Sequence, residues 1–371
     1  MIKVCHMSSA HMNTDLRIFV KECVSLAKHG YDVTFIAQGE SREHDGVHVI
    51  GIEKQLGGRL KRMTKTAKAV FEAALKVDAQ IYHFHDAELF PYALKLKKLG
   101  KKVIFDSHEH TARTMLEKPW LPKFIRPLVY AWFTNYEKYV CGKLDGVVSV
   151  TADLTEYFKT INKNVAEVTN FPIFSPNVTM PNFLKKQLVF AGGIQPEWNH
   201  HKVISLLDKI PDCGYLLCGS GKDTYMQSLQ NLAGWKKVNY LGRIPQKEVA
   251  NVLSSGYIGL ALITPNRNTG WKTGTMGNNK IFEEMMAGLP IICTDFVLWK
   301  EFVQRWNCGI CVDPENDDEI INAINCLLEN PEEAKKMGEN GRRAVEAEFN
   351  WSVEEKKLFA LYDKILNKEN T

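Results

Sequence analysis

At 371 residues, 45% apolar and 24% charged, the chain has the make-up of a globular protein and the length for two cores of ordinary size. A formal net charge of +4, with no recognisable nucleic-acid-binding module, argues against a nucleic-acid partner. Nine scattered cysteines, an odd number, argue against a disulfide framework, and the lone Cys308-x-x-Cys311 pair lacks the second pair a zinc site needs.

The first strand is read in IKVCHM, followed by an amphipathic helix from Arg17 to Lys28, a stop at His29-Gly30, and a second strand in DVTFIA. VHVIGI, a helix from about Gly58 to Lys76, IYHFHD, a helix from Glu88 to Lys98, and KKVIFDSHE come next. One long helical stretch is predicted to reach about Cys141, with Pro122 and Pro127 near its start; GVVSVT, a short helix and AEVTNF close this half. FPIFSPNVTMPNF has three prolines and little periodicity, as expected of a linker over 171–184. The alternation then restarts: QLVFAGG, a helix near 201–209, YLLCGSG, a helix from 223, VNYLG, a helix from 246, IGLALI, a helix near 279–287, PIICTD and GICVDP, with three helical segments at the end. Strands alternating with helices imply mainly parallel sheets covered on both sides. The expected architecture is α/β, with two facing doubly wound domains over 1–170 and 185–351. A last helix, about 352–371, returns to the first domain. Ligands of such sheets bind beyond the carboxyl ends of the strands, so the two domains are expected to share a cleft.

The polar clusters gather at those ends. Asp15 and Arg17 follow the first strand, His85 and Asp86 end IYHFHD, and Asp106, His108 and Glu109 end KKVIFDSHE. In the second half Gly192-Gly193, Gly219-Ser220-Gly221 and Gly242-Arg243 end successive strands. Any one of these is more often a cap or a satisfied polar group; the recurrence points to a site. In GTMGNNKIFEEMMAGLPIICTD, Gly, Thr and Asn precede a helix whose free N–H groups suit an anion. Lys280 adds positive charge in the first turn, and Glu283, one turn further, suits a pair of ribose hydroxyls.

KIFEEMMAGLPIICTD resembles the donor-binding signature of the family-4 retaining glycosyltransferases, which have the GT-B fold. VCHMSSAHMNTDLRIFVKECVSLAKHGYDVTFIA, IYHFHDAELFPYALKLKKLGKKVIFDSHE, GICVDPENDDEI and MGENGRRAVEAEFNW are similar to further parts of the family pattern. The resemblance implies that Glu283 holds the ribose hydroxyls. It implies that amides around Gly277, Asn278 and Asn279 face the diphosphate beside Lys280, and that Arg243 and Ile244 line the base pocket. His85 matches the histidine near the reacting sugar; with Asp106 and His108 it forms the expected catalytic group, and Asp15, Arg17, Asp86 and Glu109 the acceptor side. Three departures stand out. Thr275 occupies the position of the earlier family glutamate. The basic pair that clamps the diphosphate falls at Gly193 and Trp198, neither basic, and His200, His201, Lys202, Lys272 and Lys280 are the candidates to substitute. The glycine-rich loop after the first strand is replaced by HMNTD.

The implied reaction is transfer of a sugar from a UDP- or GDP-linked donor, a substrate rather than a cofactor, with retention and without a metal. The implied acceptor is a saccharide or lipid-linked saccharide of cell-surface polysaccharide synthesis. Two alternatives remain: a non-catalytic nucleotide-sugar-binding protein, and a sugar-nucleotide epimerase of the same fold. A nicotinamide enzyme would show GxGxxG after a first strand, and neither half does. No stretch reaches the roughly 20 apolar residues of a membrane span, and MIKVCHMSS lacks signal-peptide features, so the expected location is the cytoplasm. Peripheral contact with the inner membrane face is expected from two segments: the basic run Lys54, Arg59, Lys61, Arg62, Lys65 and Lys68, and the aromatic and basic run Lys118–Pro127.

Overall fold

The short apolar runs form two separate sheets. A computed structural model describes residues 1–53, 58, 61–116, 118, 121–266 and 269–367. The first sheet contains β1 (Lys3–Met12), β2 (Asp32–Gln38), β3 (Arg42–His44), β4 (Val47–Ile52), β5 (Ile81–Phe84), β6 (Lys102–Ser107), β7 (Gly146–Ser149) and β8 (Val165–Glu167). Their order is β3-β4-β2-β1-β5-β6-β7-β8, with the short β3 antiparallel to β4 and the other neighbours parallel. The second sheet contains β9 (Gln187–Ile194), β10 (Gly214–Gly221), β11 (Val238–Gly242), β12 (Ile258–Ala261), β13 (Ile291–Thr294) and β14 (Gly309–Val312). Its order is β11-β10-β9-β12-β13-β14, and every neighbouring pair is parallel. Both units are doubly wound α/β. One comprises Met1–Asn170 with Ser352–Thr371, the other Phe171–Trp351.

Three elements differ from the sequence-based expectation. β3 was not foreseen, being three residues long and mostly exposed. A helix at Val297–Trp306 lies between β13 and β14, where none was expected. The long helix ending at Cys141 is two helices, Thr111–Thr114 and Arg126–Cys141, because Pro122 and Pro127 supply no N–H to a continuous ladder. Pro127 is tolerated inside the first turn of the second helix.

In the first unit, alternation along the strands sorts chemistry onto opposite faces. Cys5, Met7, Tyr82, Phe84, Val103 and Phe105 form one hydrophobic core with helices Ala67–Val77, Phe90–Lys98 and Arg126–Cys141. His6 of β1 lies in register with His83 of β5, and His83 with Ile104 of β6. His6, His83 and Asp106 therefore share the other face. That face is covered by the segment Leu16–Lys28 and by helix Trp351–Asn367. Gly146 lets the latter close in, since a Cβ there would sit 2.8 Å from Ile365 Cδ1.

Leu16–Cys23 is π-helical before the chain continues as α-helix Val24–Lys28. In an α-helix residues five apart are separated by about 140° around the axis. The wider π turn brings Arg17 and Glu22 onto one inward face, and Arg17 Nε meets Glu22 Oε1 at 3.0 Å.

In the second unit, helix Asn279–Met286 buries Ile281, Phe282, Met285 and Met286 against the sheet. Segment 171–184 has no helix or strand and packs on this unit. Phe171 lies 4.7 Å from Phe282 between ring centroids, and Arg342 donates to the Ser175 and Pro176 carbonyls at 3.1 and 2.9 Å.

Candidate functional site

The carboxyl ends of β9 and β10 adjoin the start of helix Asn279–Met286. A Cβ at Gly192 would sit 2.2 Å from Lys280 Cε, and one at Gly219, with φ +134°, 1.7 Å from the Gly192 carbonyl oxygen. Glycine at 192 lets the lysine chain lie across the strand end, and glycine at 219 lets β10 close against β9 there. Lys280 Nζ stands 5.8 Å from the Phe190 ring and 5.9 Å from the Trp198 ring, a cation–π setting. Among the described ion pairs none involves it.

The helix start is ordered from within. Asn278 is the N-cap, accepting from the Lys280 N–H at 3.2 Å. The Thr275 hydroxyl accepts from the Gly277 N–H at 3.1 Å, so the Gly277 amide expected to face a diphosphate is engaged. Asn279 Nδ2 donates to Glu283 Oε1 at 2.7 Å, which holds that half-buried carboxylate one turn along. Arg243 is exposed after β11, while Ile244 packs on Val189, Ala191 and Leu216. Gly193 is exposed at the end of β9 and Trp198 is buried.

The candidate replacements for the basic clamp can now be sorted. His200 is fully buried, hydrogen-bonded to Tyr215 at 2.9 Å, and burial pushes its pKa down to about 3, so it carries no charge at neutral pH. Lys202 is paired with Asp317 at 3.2 Å and Glu315 at 3.6 Å. His201 and Lys272 are exposed. Lys280 is the cation placed against the glycine ends.

In the first unit the polar residues form a connected network. The His83 Nδ1, Tyr362 hydroxyl, His6 and His85 follow one another at 2.9, 3.2 and 3.0 Å, and His85 Nδ1 meets His108 Nε2 at 3.1 Å. With neutral rings every link is satisfied when all donate in one sense, either from His83 through Tyr362, His6 and His85 to His108 or the reverse. Beside the chain, Arg17 donates to both oxygens of Asp106 at 3.1–3.2 Å and to the Val168 carbonyl at 2.9 Å. Asp106 also lies 3.5 Å from both His85 and His108.

Solvent reaches only one end of this network. Asp106 is 0% exposed, Arg17 6% and His85 5%, whereas the His108 side chain is 20% exposed. This corrects the expectation that Asp106 faces a ligand: it is a buried anchor that positions His85 and His108. Arg17 is likewise a buried counter-charge, not an acceptor contact. Asp15 caps the Leu16–Cys23 segment, accepting from the Arg17 and Ile18 amides at 2.9 and 3.0 Å. Asp86 accepts from Ser8 Oγ, Ser9 N and Ala10 N at 2.7, 2.7 and 3.1 Å, and so fixes the end of β1. Glu109 is exposed. His11, which the sequence-based reading did not single out, stands at the accessible edge, 3.1 Å from Asp15 and with its ring 5.1 Å from that of His108.

Burial dominates the protonation states. It lowers His85 to about 4 and holds His6 and His83 well below the ordinary imidazole value. Burial also acts against His11 ionisation, but the Asp15 hydrogen bond and the Asp86 charge outweigh it and raise that pKa. Glu22 is raised well above its usual range by burial and by the Asp106 charge, while the Arg17 guanidinium overcomes burial to keep Asp106 ionised. A histidine with a depressed folded pKa binds fewer protons folded than unfolded. Stability is therefore fully present above about pH 6.5 and is lost as pH falls towards 4. Urea unfolding between pH 7.5 and 4.5 should show a steady decline, and His83→Gln should flatten it.

Ligand atoms of Glu22, His83, His85 and Asp106 lie within 4.8 Å of one another, a donor set that would suit a metal. The Arg17 guanidinium touches both carboxylates and already supplies the positive charge there.

Parallel doubly wound sheets in two units, with a lysine and a capped helix start at the glycine-rich strand ends, define a GT-B type protein. Residues 181–344 match the family Glycosyl transferases group 1, and residues 20–169 match Glycosyltransferase Family 4. The chain belongs to the family-4 glycosyltransferases. A GDP-mannose-dependent monoacylated alpha-(1-6)-phosphatidylinositol monomannoside mannosyltransferase of Corynebacterium glutamicum is 30% identical over 146 residues, 38% of this chain and 37% of that protein. The chain spans less than half the length of the curated relatives it matches. Among solved structures, the sucrose-phosphate synthase of Thermosynechococcus elongatus superposes with a TM-score of 0.74 at 16% identity, covering 99% of this chain and 100% of that one. Anabaena HepE in complex with UDP and glucose gives 0.71 at 12% identity, covering 98% and 100%. At such identities the likeness is one of fold.

Proposed function

We propose that the chain transfers a sugar from a UDP- or GDP-linked donor, with retention of anomeric configuration, to a saccharide or lipid-linked saccharide acceptor of cell-surface polysaccharide synthesis. The observation that carries this is Lys280, laid over Gly192 at the start of a capped helix, with Glu283 one turn along. A lysine beside a helix N-terminus attracts a phosphate, and the oriented Glu283 carboxylate accepts from vicinal ribose hydroxyls.

In the transfer the bond from the anomeric carbon to the diphosphate oxygen breaks, and the acceptor oxygen bonds to the same face of the sugar. The acceptor proton passes to the departing phosphate. Charge grows on that diphosphate as the bond breaks, so a fixed cation stabilises the transition state more than the bound donor. The buried His85 is neutral at neutral pH and orients His108 instead of acting as a charged acid. His108 and His11 are the groups of the first unit that an incoming acceptor reaches.

The direct test is proton NMR of the product formed from an α-linked nucleotide sugar and a saccharide or lipid-linked acceptor. An α-configured product is expected. A β-configured product contradicts retention, and donor converted to a different sugar without acceptor points to an epimerase.

A further inference from the structure

Helix Arg126–Cys141 presents an unusual outer face. Its inner side is anchored by Val140 and Cys141 in the core, and Phe133 and Tyr136 pack on Phe90. On the outside, Phe124 is 81% exposed, Leu128 71%, Trp132 65% and Tyr139 54%. Spacings of four and seven residues set Leu128, Trp132 and Tyr139 on one stripe of the helix, and Phe124 is exposed in the turn just before it. Ala131, at the same face, is also exposed. Isolated exposed apolar residues are ordinary; a stripe over about three helical turns, with an exposed phenylalanine just before it, is not.

The charges around the stripe have one sign. Lys123, Lys138 and Lys143 are exposed, and Arg126 is half-buried at the helix start. The one acid in residues 121–143 is Glu137, which is buried and accepts from the Tyr157 hydroxyl at 2.9 Å. Burial raises its pKa to about 7, so it adds little negative charge to the helix. On the same side of the sheet, Phe71 of helix Ala67–Val77 packs on Tyr92 of helix Phe90–Lys98. Lys61, Lys65, Lys95 and Lys98 are exposed on or just before those two helices, while Lys68 pairs with the exposed Glu72 at 3.5 Å.

An aromatic and aliphatic stripe flanked by Lys123, Lys138 and Lys143, with no exposed acid in residues 121–143, matches the headgroup boundary of an anionic bilayer. There the rings enter the acyl edge and the ammonium groups meet lipid phosphates. No helix among the described residues is long and apolar enough to cross a membrane, so the contact is with a surface. We propose that the exposed face of helix Arg126–Cys141, led by Leu128 and Trp132 together with Phe124 in the turn before it, seats the first unit on an anionic lipid surface. The chain runs from β6 into this helix and back into β7, which puts the amino end of the stripe at the carboxyl edge of the sheet, where His85 and His108 lie.

This surface overlaps the two segments the sequence suggested, at Lys61, Lys65, Lys123, Phe124 and Arg126, but is centred on the helix that follows the second. Lys54 and Arg59 of the first, and Pro119 and Trp120 of the second, lie outside the described residues. Arg62 is spent on Glu88 at 2.8 Å. The proposal deepens the lipid-linked acceptor reading but is tested without any donor or acceptor, so the two fail separately.

The experiment is co-sedimentation of the full chain with phosphatidylcholine vesicles, with and without 30% phosphatidylglycerol, at low salt. Binding should require the anionic lipid, weaken with added salt, and fall about tenfold or more in Leu128→Ser/Trp132→Ser, a loss worth about 1.4 kcal/mol. Both side chains are mostly exposed, so the variant should keep the parent thermal midpoint. Trp132→Phe should restore binding in the single-site background. Parent-like binding by the double variant overturns the proposal, as does equal binding to neutral vesicles. So does light scattering that shows a dimer abolished by the double variant, since the stripe would then cover a second copy.

Discussion

Lys280→Ala should lower kcat/KM for sugar transfer by about 10²–10³-fold, the range seen when one preorganised group facing developing charge is removed. Position explains the size. The two sites where the family pattern places basic residues hold Gly193 and Trp198, and of the candidate substitutes His201 and Lys272 are exposed while Lys280 alone lies against Gly192. His200 is buried and neutral, and Lys202 is tied to Asp317 and Glu315. On the proposed donor reading, Lys280 carries the diphosphate charge that a basic pair carries in the family pattern. Its loss should act more on kcat than on KM, because the charge grows as the donor bond breaks. Lys280→Arg should recover part of the rate, and Lys202→Ala should change it little. Steady-state kinetics on the four proteins decides the matter, and equal loss in the Lys202 and Lys280 variants would remove Lys280 from its role.

The second large effect is on stability. Arg17→Met should cost about 3–5 kcal/mol, the usual result of leaving a buried carboxylate without its partner. Arg17 is 6% exposed and joins Asp106, Glu22 and the Val168 carbonyl at one point. Against the roughly 5–15 kcal/mol that holds a domain together, this loss approaches unfolding. Arg17→Met/Asp106→Leu should be milder than Arg17→Met alone, since both charges leave together and Glu22, its pKa raised by burial, is held neutral. Urea unfolding at pH 7 measures both. A double variant as damaged as the sum of its singles would mean the groups act independently.

Much of the fold was legible because parallel strands buried on both faces leave continuous apolar runs, and QLVFA, YLLC and PIIC are such runs. Val297–Trp306 escaped because its start, after Phe296, has no side-chain cap. In the second unit, Glu283 and Lys280 were readable from the cap and spacing in GNNKIFEE. The choice of Lys280 over its rivals was not, since it depends on Gly192 making room and on His200 being buried. The first unit was harder to read. Its strand-end polar residues were found, but which of them reach solvent depends on packing against helix Trp351–Asn367, whose Tyr362 lies 279 positions beyond His83 in sequence. The alternation in IYHFHD already placed His83 and His85 on one face. The position of His6 on that face follows from the β1–β5 register, which is not written in a single strand. The π-helical turn that joins Arg17 to Glu22 has no periodic signature in eight residues.

The most direct test of the central claim is the thermal stability of the metal-free chain against a panel of nucleoside diphosphates and nucleotide sugars, repeated with Glu283→Ala. A ligand at 100 times its dissociation constant adds about 2.7 kcal/mol to stability. The expected result is an upward shift with one base family, carried by both its diphosphate and its sugar conjugate, and largely lost in Glu283→Ala. No shift with any member of the panel, or a shift that Glu283→Ala leaves intact, would contradict a donor site at the start of helix Asn279–Met286.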